Sequence, residues 1–268
     1  MKLFRIIKKC LLILLILVLI ILCIYTYFLS PNDYGFKNYQ YQNAVVPSEL
    51  NGFKIAYISD INLHQDNYEH FTKAIESLNE RNFDMVIFGG DLYDNQIFKA
   101  SEVSKILKSI SCKYGKFAVL GDKDASSPIE ISQILNDGGF EVLENQVNTL
   151  YYKNASFKLA GIEQDYAISK LKIKNKDFNL CITHQPDSFI QNRGTVNLQL
   201  SGHSYGGSLY VPFVGPFSTE VGARTYYHGR YDEGSATLIV SNGLSGPESF
   251  PYKLFARNQI LFITLKSK

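Results

Sequence analysis

Five short apolar runs in this chain each stop on an acidic residue or a histidine. YIS meets Asp60, FGG meets Asp91, VLG meets Asp122, CIT meets His184 and QLSG meets His203. Between the first three, amphipathic stretches intervene: Glu69 to Leu78 sets Phe71, Ala74, Ile75 and Leu78 on one helical face, and Val103 to Ile110 and Ile129 to Leu135 read the same way. Strand and helix thus alternate as βαβαβα, which implies a largely parallel sheet covered by helices. After Gly138 the texture turns β-rich, through FEVLENQ, TLYYKNASFKLAGI, DFNLCITH, NLQLSGH, ATLIVSNG and NQILFITLK. Two packed sheets with helices outside accommodate both halves. An open α/β sheet gathers its ligand crevice at the C-terminal ends of its strands, so the five side chains are expected to meet.

Carboxylates brought together repel one another unless a cation neutralises them. Histidines among them point to a transition metal or zinc, since calcium prefers an all-oxygen shell. The glycines before Asp91, Asp122 and His203 suit a backbone that turns sharply at a strand end. Singly, an aspartate after a strand is usually a turn or a helix cap. Five in order are harder to explain that way.

The N-terminus obeys different physics. Leu11 to Leu29 is an uncharged apolar run of 19 residues in a chain of 268, and about 20 are needed to cross a bilayer. Lys2, Arg5, Lys8 and Lys9 precede it, while Pro31, Asn32 and Asp33 follow. The positive-inside rule then keeps the N-terminus cytoplasmic and puts the remaining chain outside. A cleaved signal peptide is the rival reading, but no small-x-small site follows and Tyr25, Tyr27 and Phe28 are bulky. Leu22 before Cys23 argues against a lipoprotein. The expected organisation is an anchor over 1–30, a tether that becomes a first edge strand or loop over 31–52, and one large domain over 53–268. With 46% hydrophobic residues and a formal charge of +2, the chain can bury a substantial core and offers no basic footprint for nucleic acid. Cys112 and Cys181 are the cysteines outside the apolar segment, and Cys181 inside NLCITH reads as a buried free thiol.

The segments SDIN (59–62), GGDLYD (89–94), GDKD (121–124), THQPD (183–187) and SGHSYGG (201–207), with the ending SNGLSG then ARNQILFITL, resemble the calcineurin-like metallophosphoesterases, in particular a membrane-anchored bacterial branch. The resemblance runs from about Phe53 to the C-terminus. It implies a four-layer α-β-β-α sandwich with two mixed sheets, and a divalent metal (Mn, Fe, Zn or Mg) held as one or two ions. Asp91 would be the shared carboxylate. One ion would draw on Asp60, Asn62 and Tyr205, the other on Asp122, His184 and His203.

Three of the family's motif histidines are absent: Asn62, Lys123 and Tyr205 stand in their places, and Asp122 replaces an asparagine. Asn62 offers one neutral oxygen, and a phenol of pKa about 10 is a poor ligand. The first ion should therefore bind weakly or be hard, such as Mg or Mn. His64 could substitute by loop rearrangement or lie at the surface; His70 reads as surface, and the orientation of His228 is open. Lys123 keeps the charge of the family's loop histidine, hence a catalytic position beside phosphate, yet protonates a leaving group poorly. Asp124 could hold Lys123 by charge, or the two could be a solvated pair. Two functional readings follow: a membrane-anchored phosphoesterase acting on a phosphorylated small molecule or lipid of the envelope, or an impaired relative that binds without turnover. SLYVPFVGPFS (208–218) reads as a core strand with a proline-bounded turn, or alternatively as a membrane-facing lip.

Overall fold

Side-chain alternation in the central strands sets the layering. The computed structural model of the chain describes residues 2–164, 166–171, 173, 177–247 and 251–268. In β2 (Lys54–Ile58), Ile55 and Tyr57 enter one buried cluster while Ala56 and Ile58 enter another, the period of two that a strand imposes. β3 (Met85–Phe88) repeats this, with Met85 and Ile87 on one side and Val86 and Phe88 on the other. Both faces of these strands are covered, which is why they read as unbroken apolar runs.

The first sheet has the order β1 (Tyr34–Asn43), β14 (Asn258–Ser267), β2, β3, β4 (Lys116–Ala118), β5 (Glu141–Val142). Only the β14–β2 pairing is antiparallel. The second runs β12 (Gly229–Glu233), β13 (Ala236–Val240), β9 (Leu198–Ser201), β8 (Asn179–Ile182), β7 (Ala155–Gly161), β6 (Gln146–Tyr152), parallel in its interior and antiparallel at both rims. Between the sheets lie Ile55, Tyr57, Met85 and Ile87 against Leu180, Ile182, Leu198, Leu200 and Ile239. Helices α2 (Tyr68–Asn79), α3 (Ala100–Lys108) and α4 (Pro128–Asp137) cover the far side of the first sheet through Phe71, Ile75, Val103, Ile131 and Leu135. The short α5 (Phe189–Asn192), with Ile168, Val196 and Tyr226, covers Cys181, Leu238 and Val240 of the second. This is the four-layer sandwich with two mixed sheets, and Cys181 is a buried free thiol.

The polar, aromatic stretch after the apolar segment is ordered by pairing rather than by burial. β1 runs parallel to β14 from Tyr34 opposite Asn258 to Asn43 opposite Ser267, and Tyr41 is its one fully buried side chain. An edge strand with one free side tolerates such a sequence. Ahead of it, α1 (Lys2–Ile24) contains no buried residue and is long and apolar enough to cross a membrane by length and composition.

The core strand expected within 208–218 does not form. Pro212, Gly215 and Pro216 interrupt the run, leaving two-residue strands β10 (Tyr210–Val211) and β11 (Gly215–Pro216) paired as a surface hairpin.

Candidate metal centre

The parallel strands β2, β3 and β4 of one sheet and β8 and β9 of the other deliver their C-terminal ends to one pocket. There, ligand atoms of Asp60, Asp91 and His184 lie within 4.8 Å of one another, as do those of Asp122, His184 and His203. Five side chains expected to meet do meet. The backbone is bent hard to bring them in: Asp60, Asn62, Asp91, His203 and Tyr205 all hold positive φ, between 44° and 66°, where an L residue is strained. Turning explains only Gly90 (φ 97°) among the glycines expected to turn. At Gly121 the reason is close approach, since a Cβ there would meet the backbone nitrogen of Asp91 at 2.5 Å.

Each imidazole has one nitrogen committed and one aimed at carboxylate. His184 Nδ1 lies 2.7 Å from the Gly89 carbonyl and so carries its proton there. Its buried Nε2 is 3.3 Å from Asp91 Oδ2 and 4.0 Å from Asp60 Oδ1. His203 Nε2 donates to the Val221 carbonyl at 2.7 Å, which turns Nδ1 to within 3.0 Å of Asp122 Oδ2. A neutral ring would set a lone pair against an anion at both places. Only a second proton or a cation relieves this, and the carbonyl-tethered ring is the usual posture of a metal-ligating histidine. The residues present therefore fit a divalent ion.

The carboxylates are tuned accordingly. Burial works against ionisation of Asp122, but its contact with His203, the charge of His184 and Gln185 Nε2 at 2.9 Å hold it at about 2. Burial also opposes Asp91, and the neighbouring His184 overcomes it and lowers the carboxyl. Asp60 goes the other way: burial, with Asp91 close by, raises it despite His184. Burial opposes charging of His184 and His203, yet Asp91 and Asp122 respectively hold both above the ordinary imidazole value.

The other half of the pocket is closed on itself. Asn62 Nδ2 donates to Ser245 Oγ at 2.7 Å and to Tyr205 Oη at 3.3 Å. Burial pushes the Tyr205 phenol far up, so it stays protonated. Asn62 Oδ1 and Asp60 Oδ2 are buried with no hydrogen-bond partner among the described residues. Sequence reasoning missed a fully buried cation here: Lys253 donates to the Asn242 carbonyl and stands 5.8 Å above the Tyr205 ring. Burial lowers its amine to about 7, against the pull of Asp60. The only signal was a lysine set among apolar neighbours in PYKLF.

Two expectations for the third loop change. Asp124 does not hold Lys123: its carboxylate is buried and accepts the backbone N–H groups of Asp91, Gly121 and Leu92 at 2.8 to 2.9 Å. Burial, reinforced by Asp91, raises it to about 6. It clamps two loops and does not line the pocket as a catalytic group. Lys123 pairs instead with Asp94, Nζ to Oδ1 at 2.5 Å, while its backbone N–H donates to Asp91 Oδ1 at 3.0 Å. His64 is exposed beside Asp66, outside both clusters. His70 is not plain surface; it packs edge-on against Tyr34. His228 stacks on Tyr210 and lies 3.0 Å from Asn242 Oδ1.

Residues 53–206 match the family model of the calcineurin-like phosphoesterases. This chain belongs to that family. The metallophosphoesterase YkuE of Bacillus subtilis is 29% identical over 260 residues, covering 91% of this chain and 89% of that one. A Campylobacter jejuni metallophosphoesterase is 29% identical over 237 residues, of which this chain spans only 62% of the relative's length. The phosphodiesterase YaeI of Escherichia coli is 27% identical over 205 residues, covering 72% of this chain and 75% of YaeI. Family membership implies metal-dependent phosphoester hydrolysis, and the two carboxylate–imidazole clusters are this member's possible ligand groups.

Proposed function

We propose that this phosphoesterase is anchored by α1 as a single-pass membrane protein, with its domain outside the cytoplasm, and hydrolyses a phosphate ester or pyrophosphate of an envelope lipid or lipid-linked substrate. The carrying observation is the pair of imidazoles, each tethered to a carbonyl and each turned onto a carboxylate. Asp91, Asp122, His184 and His203 form the principal site for the ion, and Asp60 flanks it. A divalent ion held there supplies a water of lowered pKa and polarises a phosphoryl oxygen. The remaining work falls to the chain. Lys123 N–H fixes Asp91, Gln185 fixes Asp122, and the Lys123 ammonium at the rim steadies the phosphate in exchange with Asp94. The substrate enters by the cleft of about 310 Å³ that Asp122, Pro128, Glu163, Gln164 and His184 help to line. Because lysine protonates a departing alkoxide poorly, good leaving groups are favoured.

The test is hydrolysis of an aryl phosphate monoester and diester with Mn²⁺ by wild type and Asp91→Asn. Loss of about 100-fold or more is expected on removing a charge at the reacting centre; equal rates would end the proposal. The hydrogen bond that Asn62 donates to Tyr205 favours one competing reading, a binding module without turnover. Metal analysis bears on the two, since the module would carry one ion or none: two bound ions would favour turnover, and none would favour the module.

A further inference from the structure

The hairpin that failed to become a core strand leaves its apolar side chains in solvent. Phe213 at its tip is 107% exposed, Val214 83% and Phe217 85%. Phe213 and nearby Phe255 both hold left-handed φ, 69° and 57°, a strain that no burial of the Phe213 side chain offsets and that Phe255, 53% exposed, offsets only in part. Exposed apolar patches of this kind mark an interaction surface. Its position says which one.

The hairpin is joined to the segment that holds the exit of α1. Tyr210 N–H donates to the Leu254 carbonyl and Leu254 N–H to the Ser208 carbonyl, both at 2.9 Å. The same segment grips the anchor: Tyr27 stacks on Tyr252 at 4.9 Å, Lys253 N–H donates to Ser30 Oγ at 2.8 Å, Asn258 donates to the Ser30 carbonyl, and Arg257 pairs with Asp33. Hairpin and α1 exit are thus bolted to one short stretch, Tyr252 to Asn258. On its other side the hairpin continues the pocket loop, its first strand starting five residues after Tyr205 and the chain returning to Val221, whose carbonyl orients His203.

We propose that the Val211–Phe217 hairpin, with Phe255, dips into the same leaflet from which α1 emerges, so that the pocket mouth lies at the level of the lipid phosphates. Aromatic side chains favour this interfacial layer. The inference rests on α1 spanning the bilayer, and it narrows the substrate to phosphates presented at a membrane surface.

The chain contains no tryptophan, so a single introduced one reports its own surroundings. The test uses full-length protein reconstituted in phosphatidylcholine vesicles with or without brominated acyl chains, carrying Phe213→Trp, Leu19→Trp within α1, or Ile129→Trp on the exposed start of α4. Emission from Phe213→Trp and Leu19→Trp should fall by roughly half or more in brominated vesicles, as expected of interfacial and spanning residues, while Ile129→Trp stays unchanged. If Leu19→Trp is quenched and Phe213→Trp is not, the hairpin faces water or another protein and the proposal fails. An unquenched Leu19→Trp overturns the span, and the proposal with it.

Discussion

The two halves of the pocket share Asp60 and Asp91 as neighbours but solve their electrostatics differently. On one side His184 and His203 each spend a nitrogen on a carbonyl and present the other to a carboxylate, an arrangement completed by a cation from outside. On the other, Asn62, Tyr205 and Ser245 hydrogen-bond among themselves beneath the buried amine of Lys253. One half is built to receive charge; the other holds a buried amine that is charged only below about pH 7. This second half is occupied by amide, phenol and amine, whose hydrogen bonds leave Asn62 Oδ1 without a partner among the described residues.

If this contrast is right, substitutions on the two sides should differ in size. His184→Ala should weaken Mn²⁺ binding by about 100-fold or more, whereas Tyr205→Phe should change it by no more than about twofold, because only the former removes a ligand nitrogen. Equal losses in isothermal titration would erase the distinction between the halves.

A second comparison uses Lys253. Its folded amine keeps a proton only below about 7, while the unfolded amine keeps it to about 10.4. Between those values the unfolded chain binds more protons, so raising the pH stabilises the fold. From about pH 7 to pH 9, wild type should gain roughly 2 kcal/mol over Lys253→Met in urea unfolding of the detergent-solubilised chain. No differential gain would mean that the amine stays charged throughout, and that this half carries a full ion pair rather than a titrating group.

A pH test of comparable size lies on the imidazole side. His184 and His203 are held above the usual imidazole range by Asp91 and Asp122, and each must shed its proton to ligate. Mn²⁺ affinity should consequently fall as the pH drops, by roughly tenfold per unit for each protonated ring, between about pH 8 and pH 6. Titrations in buffers of differing ionisation enthalpy would count the protons released. A flat profile would show that the rings are already neutral in the metal-free pocket.

How far the sequence reached depends on what kind of signal each feature leaves. Strands β2, β3, β8 and β9 are covered on both faces and so appear as apolar runs with a polar stop, which made Asp60, Asp91, Asp122, His184 and His203 legible together. Asp124 and Lys123 were misjudged as partners because adjacency in sequence suggested a charge pair. In the fold, Asp124 turns inward to three backbone N–H groups while Lys123 turns to Asp94 on another loop. Lys253 left almost no trace, since a lysine in an apolar context looks alike whether it snorkels to solvent or is buried.

The sequence by itself determined the layered α/β frame, the apolar N-terminal segment and the set of side chains at the strand ends, because periodicity and strand length are local properties of the chain. Only the tertiary structure decided which nitrogen each histidine offers, that Asn62 donates to Tyr205 and Ser245 near Lys253, and that the 208–218 stretch lies outside the core. Those outcomes depend on backbone turns and on contacts between segments more than two hundred residues apart, where hydrogen-bond geometry and burial, not residue type, choose among the alternatives.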